Sequence, residues 1–312
     1  MRLSINALRE NKMILLLFAI FISMSFASPY FLTGSNMINV LMQTSTYGIM
    51  ACGMSFVIIS AEFDLSIGST MSLCGLISIL LAPITGQFLA IVIALLAGSA
   101  IGLANGLLIA RAKISSFIVT IGMMSLVKGL ALKISGGSPV ISQNAWFNAL
   151  GNSTVAGIPT QIVIFAGVVF ISMYVLSRTR FGRNIYAVGG NMEVAFNSGI
   201  NVIFQKIAAF VICSFTAAAA GILLASRLNT GSALHGDSAA LSVISGVVIG
   251  GTSLSGGVGS IFKSIIGILI FTLITNSLDL LRVFSYYQTA IRGALLILII
   301  GIDAYTRNRS AR

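Results

Sequence analysis

The sequence predicts an all-α, multi-pass membrane protein with about ten transmembrane helices. Of its 312 residues, 57% are hydrophobic and only 8% are charged, and the apolar residues fall into ten runs. A soluble domain has about 25% charged residues, so this chain has too few charges to cover a water-facing surface. Most of its outer surface must therefore face lipid, with about 20 apolar residues needed for each spanning helix.

The ten runs are the predicted spans, and most are long enough to cross a bilayer. In chain order they are 13–32, 42–60, 66–83, 88–110, 115–134, 160–177, 205–226, 240–252, 260–279 and 286–303. The first resembles a signal peptide, but residues 28–30 form a poor cleavage site, so we interpret it as a retained helix. The eighth is short and glycine-rich, which predicts a broken or re-entrant segment buried among other helices.

The basic residues predict the orientation of these spans. With the N-terminus inside, the inner segments are 1–12, 61–65, 111–114, 178–206, 253–263 and 304–312, and they hold 13 of the 18 lysines and arginines. Cytoplasmic loops carry such an excess of positive charge. Both termini are therefore predicted to be cytoplasmic. Lys128 and Arg292 lie near predicted outer helix ends, where their long side chains could snorkel towards the headgroups.

Two predicted loops are long. The outer one, about 135–159, contains Trp146, the single tryptophan. It is either an interfacial anchor with a covering loop or part of an external docking or gating surface. The inner one, about 178–204, has Gly189, Gly190 and Asn191 followed by Glu193, which predicts a turn and then a short helix with the acid near its N-terminal end.

Several kinds of chemistry are disfavoured by composition. The net charge of +11 comes from bases at the ends of apolar runs, which is not the clustered pattern of nucleic-acid binders. The three cysteines lie inside apolar runs and His235 is the only histidine, so no metal site is predicted. The glycine-rich stretch 250–259 lacks the lysine of a phosphate-binding loop. We therefore expect no cofactor on this chain, and no ATPase of its own.

The seven acids are sparse, and none lies deep inside a long apolar run. Charges at mid-membrane usually mark ion or proton pathways, so their absence disfavours a gradient-driven transporter, and an intramembrane enzyme is disfavoured further. Glu62 and Asp64 lie at the break between the second and third spans. Asp64 or Ser66 either caps the next helix or places a discontinuous helix end beside a translocation pathway.

A set of short motifs carries a resemblance over roughly residues 45–303. They are Asp64-Leu-Ser-Ile-Gly-Ser, Asn105-Gly-Leu-Leu-Ile-Ala, Ser116-Phe-Ile-Val-Thr-Ile-Gly, Phe181-Gly-Arg, Ala187-Val-Gly-Gly-Asn, Ser198-Gly-Ile-Asn, Val248-Ile-Gly-Gly-Thr-Ser-Leu and Ser285-Tyr-Tyr-Gln. In order and spacing the chain resembles the permease subunits of ribose-type, or monosaccharide, ABC importers. The resemblance implies that residues 1–312 form a single transmembrane permease domain in the bacterial cytoplasmic (inner) membrane.

The resemblance also implies partners. A second permease subunit, identical or homologous, would complete the pore, a cytoplasmic ATP-binding subunit would use ATP to drive it, and an extracytoplasmic substrate-binding protein would deliver the sugar. The cytoplasmic loop 178–204 would couple this chain to the ATPase. The residues that match the family pattern there are Gly182, Arg183, Gly190, Asn191 and Glu193.

The sequence departs from the family at two places. An acidic Glu-Leu-Asp-like triplet is replaced by Ala240-Leu-Ser242, and Phe196 stands where an arginine is frequent. These changes leave open a heterodimer and a different solute, such as a nucleoside, a furanose-like signal molecule or a branched-chain amino acid.

Neutral polar side chains suit low-affinity passage of a sugar. The predicted pathway residues are Asp64, Ser66, Asn105, Asn276 and Gln288, with Gln43 as a further lining candidate. Hydrogen bonding between helices is the alternative role for each amide. Gly98, Gly102 and Gly106 form two overlapping GxxxG spacings, which predict close helix packing.

Overall fold

The computed structural model describes the backbone of residues 12–310, and the side chains of this range except 12, 296, 299–300 and 302–310. The predicted inner ends 1–11 and 311–312 lie outside it. Fourteen helices follow in order: α1 Lys12–Ala27, α2 Gly34–Ile59, α3 Ile67–Leu80, α4 Ala82–Thr85, α5 Gln87–Ala110, α6 Ser116–Ser135, α7 Ala145–Asn152, α8 Thr160–Arg178, α9 Arg180–Gly190, α10 Met192–Asn197, α11 Val202–Leu228, α12 Ala239–Ile249, α13 Ile261–Leu280 and α14 Ser285–Ser310.

Between residues 12 and 310, strands are confined to four two-residue pieces. They are β1 Val140–Ile141, β2 Thr154–Val155, β3 Ile158–Pro159 and β4 Thr230–Gly231. β1 pairs antiparallel with β4, and β2 pairs antiparallel with β3. The protein is thus an all-α membrane protein, as the composition predicted.

Each predicted run coincides with a helix. Six of the described helices (α2, α5, α6, α8, α11 and α13) are long and apolar enough to cross a membrane, and most of α1 together with α3 and α12 are shorter apolar helices. The count of ten spans stays a prediction.

Two boundaries near the start of the chain differ from the prediction for reasons that the structure shows. α1 ends at Ala27 rather than near 32, because Pro29 cannot continue a helix and disfavours helical backbone at Ser28. α2 begins at Gly34 rather than 42, because its first polar turn is anchored through Asn36, which hydrogen bonds to Asn276 of α13.

The segments predicted to share one side of the membrane do meet at one end of the bundle. Gly257 N donates to Ile59 O at 2.9 Å, Tyr186 donates its hydroxyl to Gly259 O at 2.8 Å, and Lys206 pairs with Glu62. We call this the inner end, following the predicted orientation. The opposite, outer end carries α7 and both short sheets.

α12 has the length of a half-helix. Its 11 residues rise about 16 Å, roughly half of a bilayer core. The preceding chain runs back along α3, where Gly236 N donates to the Ser72 hydroxyl at 2.8 Å. Lys128 pairs with Asp237 at 2.7 Å, and that its side chain could snorkel stays a prediction. The short eighth run therefore coincides with one short helix, which is preceded by a non-helical segment.

α11 is the central helix and packs against α2, α3 and α5. The α5–α11 contact depends on Gly98, Gly102 and Gly106. A Cβ at Gly102 would clash with Phe210 O, and one at Gly106 would lie 2.8 Å from the Ile207 Cα. The GxxxG spacings therefore bring these two backbones into direct contact.

Candidate functional site

A polar cavity of about 300 Å³ lies between α2, α11, α12, α13 and α14, towards the outer end. We call it the outer cavity. Its polar lining residues are Gln43, Tyr47, Arg227, Ser242, Thr275, Asp279 and Arg292. They come from five different helices, so the cavity exists only in the assembled bundle. Arg227, Ser242, Thr275, Asp279 and Arg292 were not among the predicted pathway residues.

Gln288 organises one wall of this cavity. Its amide donates to Asp279 Oδ1 at 2.8 Å and to Val283 O at 2.9 Å, while its Oε1 accepts from Arg292 Nη2 at 3.3 Å. The side chain is 8% exposed. Gln288 therefore positions Asp279 and Arg292, two of the three charged side chains that line the cavity. Arg292 also lines the cavity, and that its side chain could snorkel stays a prediction.

Asp64, Ser66 and Asn105 meet, but in a closed cluster. Asp64 Oδ1 accepts from Ser66 N at 2.9 Å and from the Ser66 hydroxyl at 2.6 Å, and the same hydroxyl oxygen accepts from Asn105 Nδ2 at 2.9 Å. All three side chains are fully buried. None lines the outer cavity. In this conformation they tie the linker before α3 to α5.

The capping hypothesis for this break is only partly right. Ser66 precedes α3 but makes no side-chain capping bond, while Asp64 accepts the backbone N–H of Ser66. Asp64 lies in the linker outside the helices. Burial raises the pKa of its carboxyl, and the hydrogen bonds from Ser66 and Asn105 act against that rise.

Asn276 also joins helices. Its Nδ2 donates to Asn36 Oδ1 at 2.8 Å, and Asn36 Nδ2 donates back to Asn276 Oδ1 at 3.1 Å. Both side chains are buried. This reciprocal pair connects α2 and α13 and leaves Asn276 outside the lining of the outer cavity.

The inner segment 178–204 is mostly helical rather than a loop. Gly182 follows the break at Thr179 and is tightly packed, because a Cβ at Gly182 would clash with Leu176 O. Gly190 ends α9 and is exposed, and nothing lies within 4 Å of a Cβ placed there. The turn expected at 189–191 is thus the end of α9, with only Asn191 outside the helix.

α10 follows directly and matches the predicted short helix. Asn191 is its N-cap, and its side chain accepts from Val194 N at 3.0 Å, with Glu193 in the first turn. Arg183 and Glu193 are both exposed. The helix also exposes three large apolar side chains: Met192 is 54%, Val194 59% and Phe196 69% exposed.

The glycine-rich break 250–259 supports this inner surface. Gly256 and Gly257 adopt left-handed backbone conformations, with φ of 80° and 73°. This bend brings Gly257 against Ile59 O and the backbone of Gly189 and Gly190. The two sequence breaks therefore meet, and both contact the C-terminal end of α9.

A second, larger cavity of about 690 Å³ separates α10 from the α5–α6 connection. Its charged lining residues are Glu62, Lys113, Glu193 and Lys206. Glu62 and Lys206 are paired, with side chains only 13% and 14% exposed. This pair links the Asp64 linker to the start of α11. Among the described residues, no group of three or more His, Cys, Asp or Glu side chains could hold a metal ion.

Comparison with known proteins places this architecture in a family. Residues 36–300 match the family described as branched-chain amino acid transport system / permease component. The ribose import permease protein RbsC of Escherichia coli (strain K12) is 38% identical over 301 residues, covering 95% of this chain and 94% of the relative. No solved structure gives a significant match.

Two further relatives carry other sugar names. The L-arabinose ABC transporter permease protein AraH of Azospirillum brasilense is 37% identical and covers 97% of this chain and 89% of itself. The xylose transport system permease protein XylH of Escherichia coli (strain K12) is 33% identical, with 90% and 87% covered. The resemblance to ribose-type permeases is confirmed, and the chain belongs to this family of transport-system permease components.

Proposed function

We propose that this chain is the membrane-spanning subunit of an ATP-driven importer that passes a monosaccharide across the bacterial cytoplasmic (inner) membrane. The observation that carries the proposal is a pair of surfaces at opposite ends of one bundle. A polar cavity lies towards the outer end, and an exposed apolar helix, α10, lies at the inner end. The sugar permeases that resemble the chain over nearly its whole length support the same function.

α10 is the proposed contact with a cytoplasmic ATP-binding subunit. Three large apolar side chains exposed on one six-residue helix are costly in water, and such patches usually mark a protein contact. α10 follows α9 directly, and the end of α9 packs against Ile59 and Gly257, so a movement of α10 would reach the linker 60–66 and then α3. ATP would be bound and hydrolysed by that partner, and this chain would act as a transport subunit rather than an enzyme.

The outer cavity is the proposed passage for the solute. Its amide, hydroxyl and charged groups can exchange hydrogen bonds with sugar hydroxyls, and its volume suits one small ring. An extracytoplasmic substrate-binding protein would release the sugar there, beside α7 and the loop 135–159. A second permease subunit, identical or homologous, would complete the pathway.

The test is uptake of radiolabelled pentoses and hexoses in cells that express the chain with its ATPase and binding protein. An ATPase-dead partner should abolish uptake. Gly190→Arg should abolish it too, because a large side chain fits there without disturbing the fold but obstructs docking beside α10. Gly190→Ala is the matched control and should keep most of the wild-type rate.

Membrane insertion and detergent elution profiles should be alike for both Gly190 variants. Uptake that survives the dead ATPase would contradict the proposal and favour a gradient-driven transporter. ATP-dependent uptake of nucleosides or branched-chain amino acids in place of sugars would keep the importer and change its substrate.

A further inference from the structure

The outer cavity contains more positive than negative charge. Two arginines, Arg227 and Arg292, and one acid, Asp279, line it. The side chains that the structure describes place no carboxylate within ion-pair distance of either arginine. Asp279 instead accepts a hydrogen bond from Gln288 at 2.8 Å. The cavity therefore presents two guanidinium groups without a salt bridge.

Arg292 is also incompletely hydrogen bonded. Its Nε is buried and has no partner, and its Nη2 makes a long 3.3 Å bond to Gln288. A buried N–H without an acceptor is unfavourable, and an unneutralised guanidinium in a bundle surrounded by lipid is more so. Among the described side chains this guanidinium has no anionic partner, and a ligand in the cavity that Arg292 lines can supply one.

The N-terminal end of the half-helix α12 adds partial positive charge to the outer cavity. Ser242, in its first turn, lines the outer cavity. Helix N-termini carry partial positive charge, and discontinuous membrane helices direct them at anionic groups of transported solutes. Ala240 and Ser242 are neutral, and the acid just before α12, Asp237, pairs with Lys128 and does not line the cavity.

We propose that the outer cavity binds a monosaccharide that carries an anionic group, a carboxylate or a phosphate, in preference to a neutral sugar. The planar fork of arginine matches both groups with two parallel hydrogen bonds. Arg292 and Arg227 would hold the anion, while Gln43, Tyr47 and Thr275 would face the sugar hydroxyls. This inference rests on the proposed function and narrows its substrate.

The experiment compares matched sugars on the importer reconstituted in proteoliposomes with its ATPase. Equilibrium binding of radiolabelled glucose, glucuronate and glucose 6-phosphate is measured without the binding protein, whose own selectivity would obscure the result. Wild type should bind at least one of the two anions roughly tenfold or more tighter than glucose, the range expected for charge-assisted hydrogen bonds. Which anion binds tighter distinguishes a carboxylate from a phosphate ligand.

Variants then assign the effect to the cavity. Arg292→Gln and Arg227→Gln should each weaken anion binding roughly 10- to 100-fold and weaken glucose binding much less, because glucose offers no charge to the guanidinium. Lys133→Gln is the matched control: it removes one positive charge from an exposed side chain near the outer end that does not line the cavity. It should alter anion binding less than about twofold, because exposed charges are screened by salt.

Two results would overturn the inference. One is that wild type binds glucose at least as tightly as it binds glucuronate and at least as tightly as it binds glucose 6-phosphate. The other is an anion preference that survives both arginine substitutions, or that is lost only because they disrupt pairing with a second permease subunit. Neither result contradicts the proposed function. That function is contradicted separately, if no sugar, charged or neutral, shows ATP-dependent uptake.

Discussion

At the residue scale, Asp64 belongs to a buried hydrogen-bonded cluster in this conformation. It also lies in the linker 60–66, which we propose would move during transport. Its carboxylate satisfies Ser66, and Ser66 in turn satisfies Asn105. The linker that holds it also contains Glu62, which pairs with Lys206 at the inner end. The charge of Asp64 and its hydrogen-bonding capacity can be separated by substitution.

We expect Asp64→Ala to destabilise the protein by about 1–3 kcal/mol, because it strands a buried hydroxyl and a buried N–H. Asp64→Asn keeps an acceptor oxygen and should lose less than about 1 kcal/mol. Thermal unfolding in detergent measures both. If Asp64→Asn unfolds like wild type but loses uptake, the carboxylate acts in transport itself, and the predicted pathway role is supported over the structural one.

At the element scale, hydropathy and charge predicted the positions of the helices along the chain. They predicted far less well which face of each helix is buried. Every apolar run became a helix because backbone groups in lipid must be satisfied within the segment. The residues that line the outer cavity could not be predicted from hydropathy or charge. Arg227, Asp279 and Arg292 converge only after α11, α13 and α14 pack, and helix rotation leaves no local sequence signal.

The amides show the same limit. Asn276 was predicted beside the pathway, yet it pairs with Asn36, 240 residues away. The GxxxG spacings, by contrast, predicted a real contact, because close backbone approach requires residues without side chains at this periodicity. That contact can be tested directly.

We expect Gly102→Val in α5 to destabilise the protein by about 1–3 kcal/mol, the usual effect of overpacking. A Cβ at Gly102 would meet the Phe210 backbone of α11, and valine adds two further carbons. Gly122→Ala in α6 is the control, since nothing lies within 4 Å of a Cβ there. Equal unfolding temperatures for the two variants would contradict the α5–α11 contact.

At the scale of the whole molecule, the structure sorts the loops into two groups but does not by itself say which group faces the cytoplasm. The charge bias supplies that assignment. The three native cysteines are fully buried, so cysteines introduced at exposed positions can report sidedness with little background. Lys133 near the outer end and Arg183 at the inner end are both exposed.

We expect Lys133→Cys to react with a membrane-impermeant maleimide in intact cells whose outer membrane has been made permeable, and Arg183→Cys to react only after the inner membrane is broken. Tags at the two chain termini should both be reached only from the cytoplasm, because ten crossings return the chain to its starting side. A C-terminal tag reached from outside, with an N-terminal tag still protected, would mean an odd number of crossings. The first segment to re-examine would then be α14, the last predicted crossing, because the break after α12 meets Ile59 at the inner end and α12 therefore does not return to the outer end.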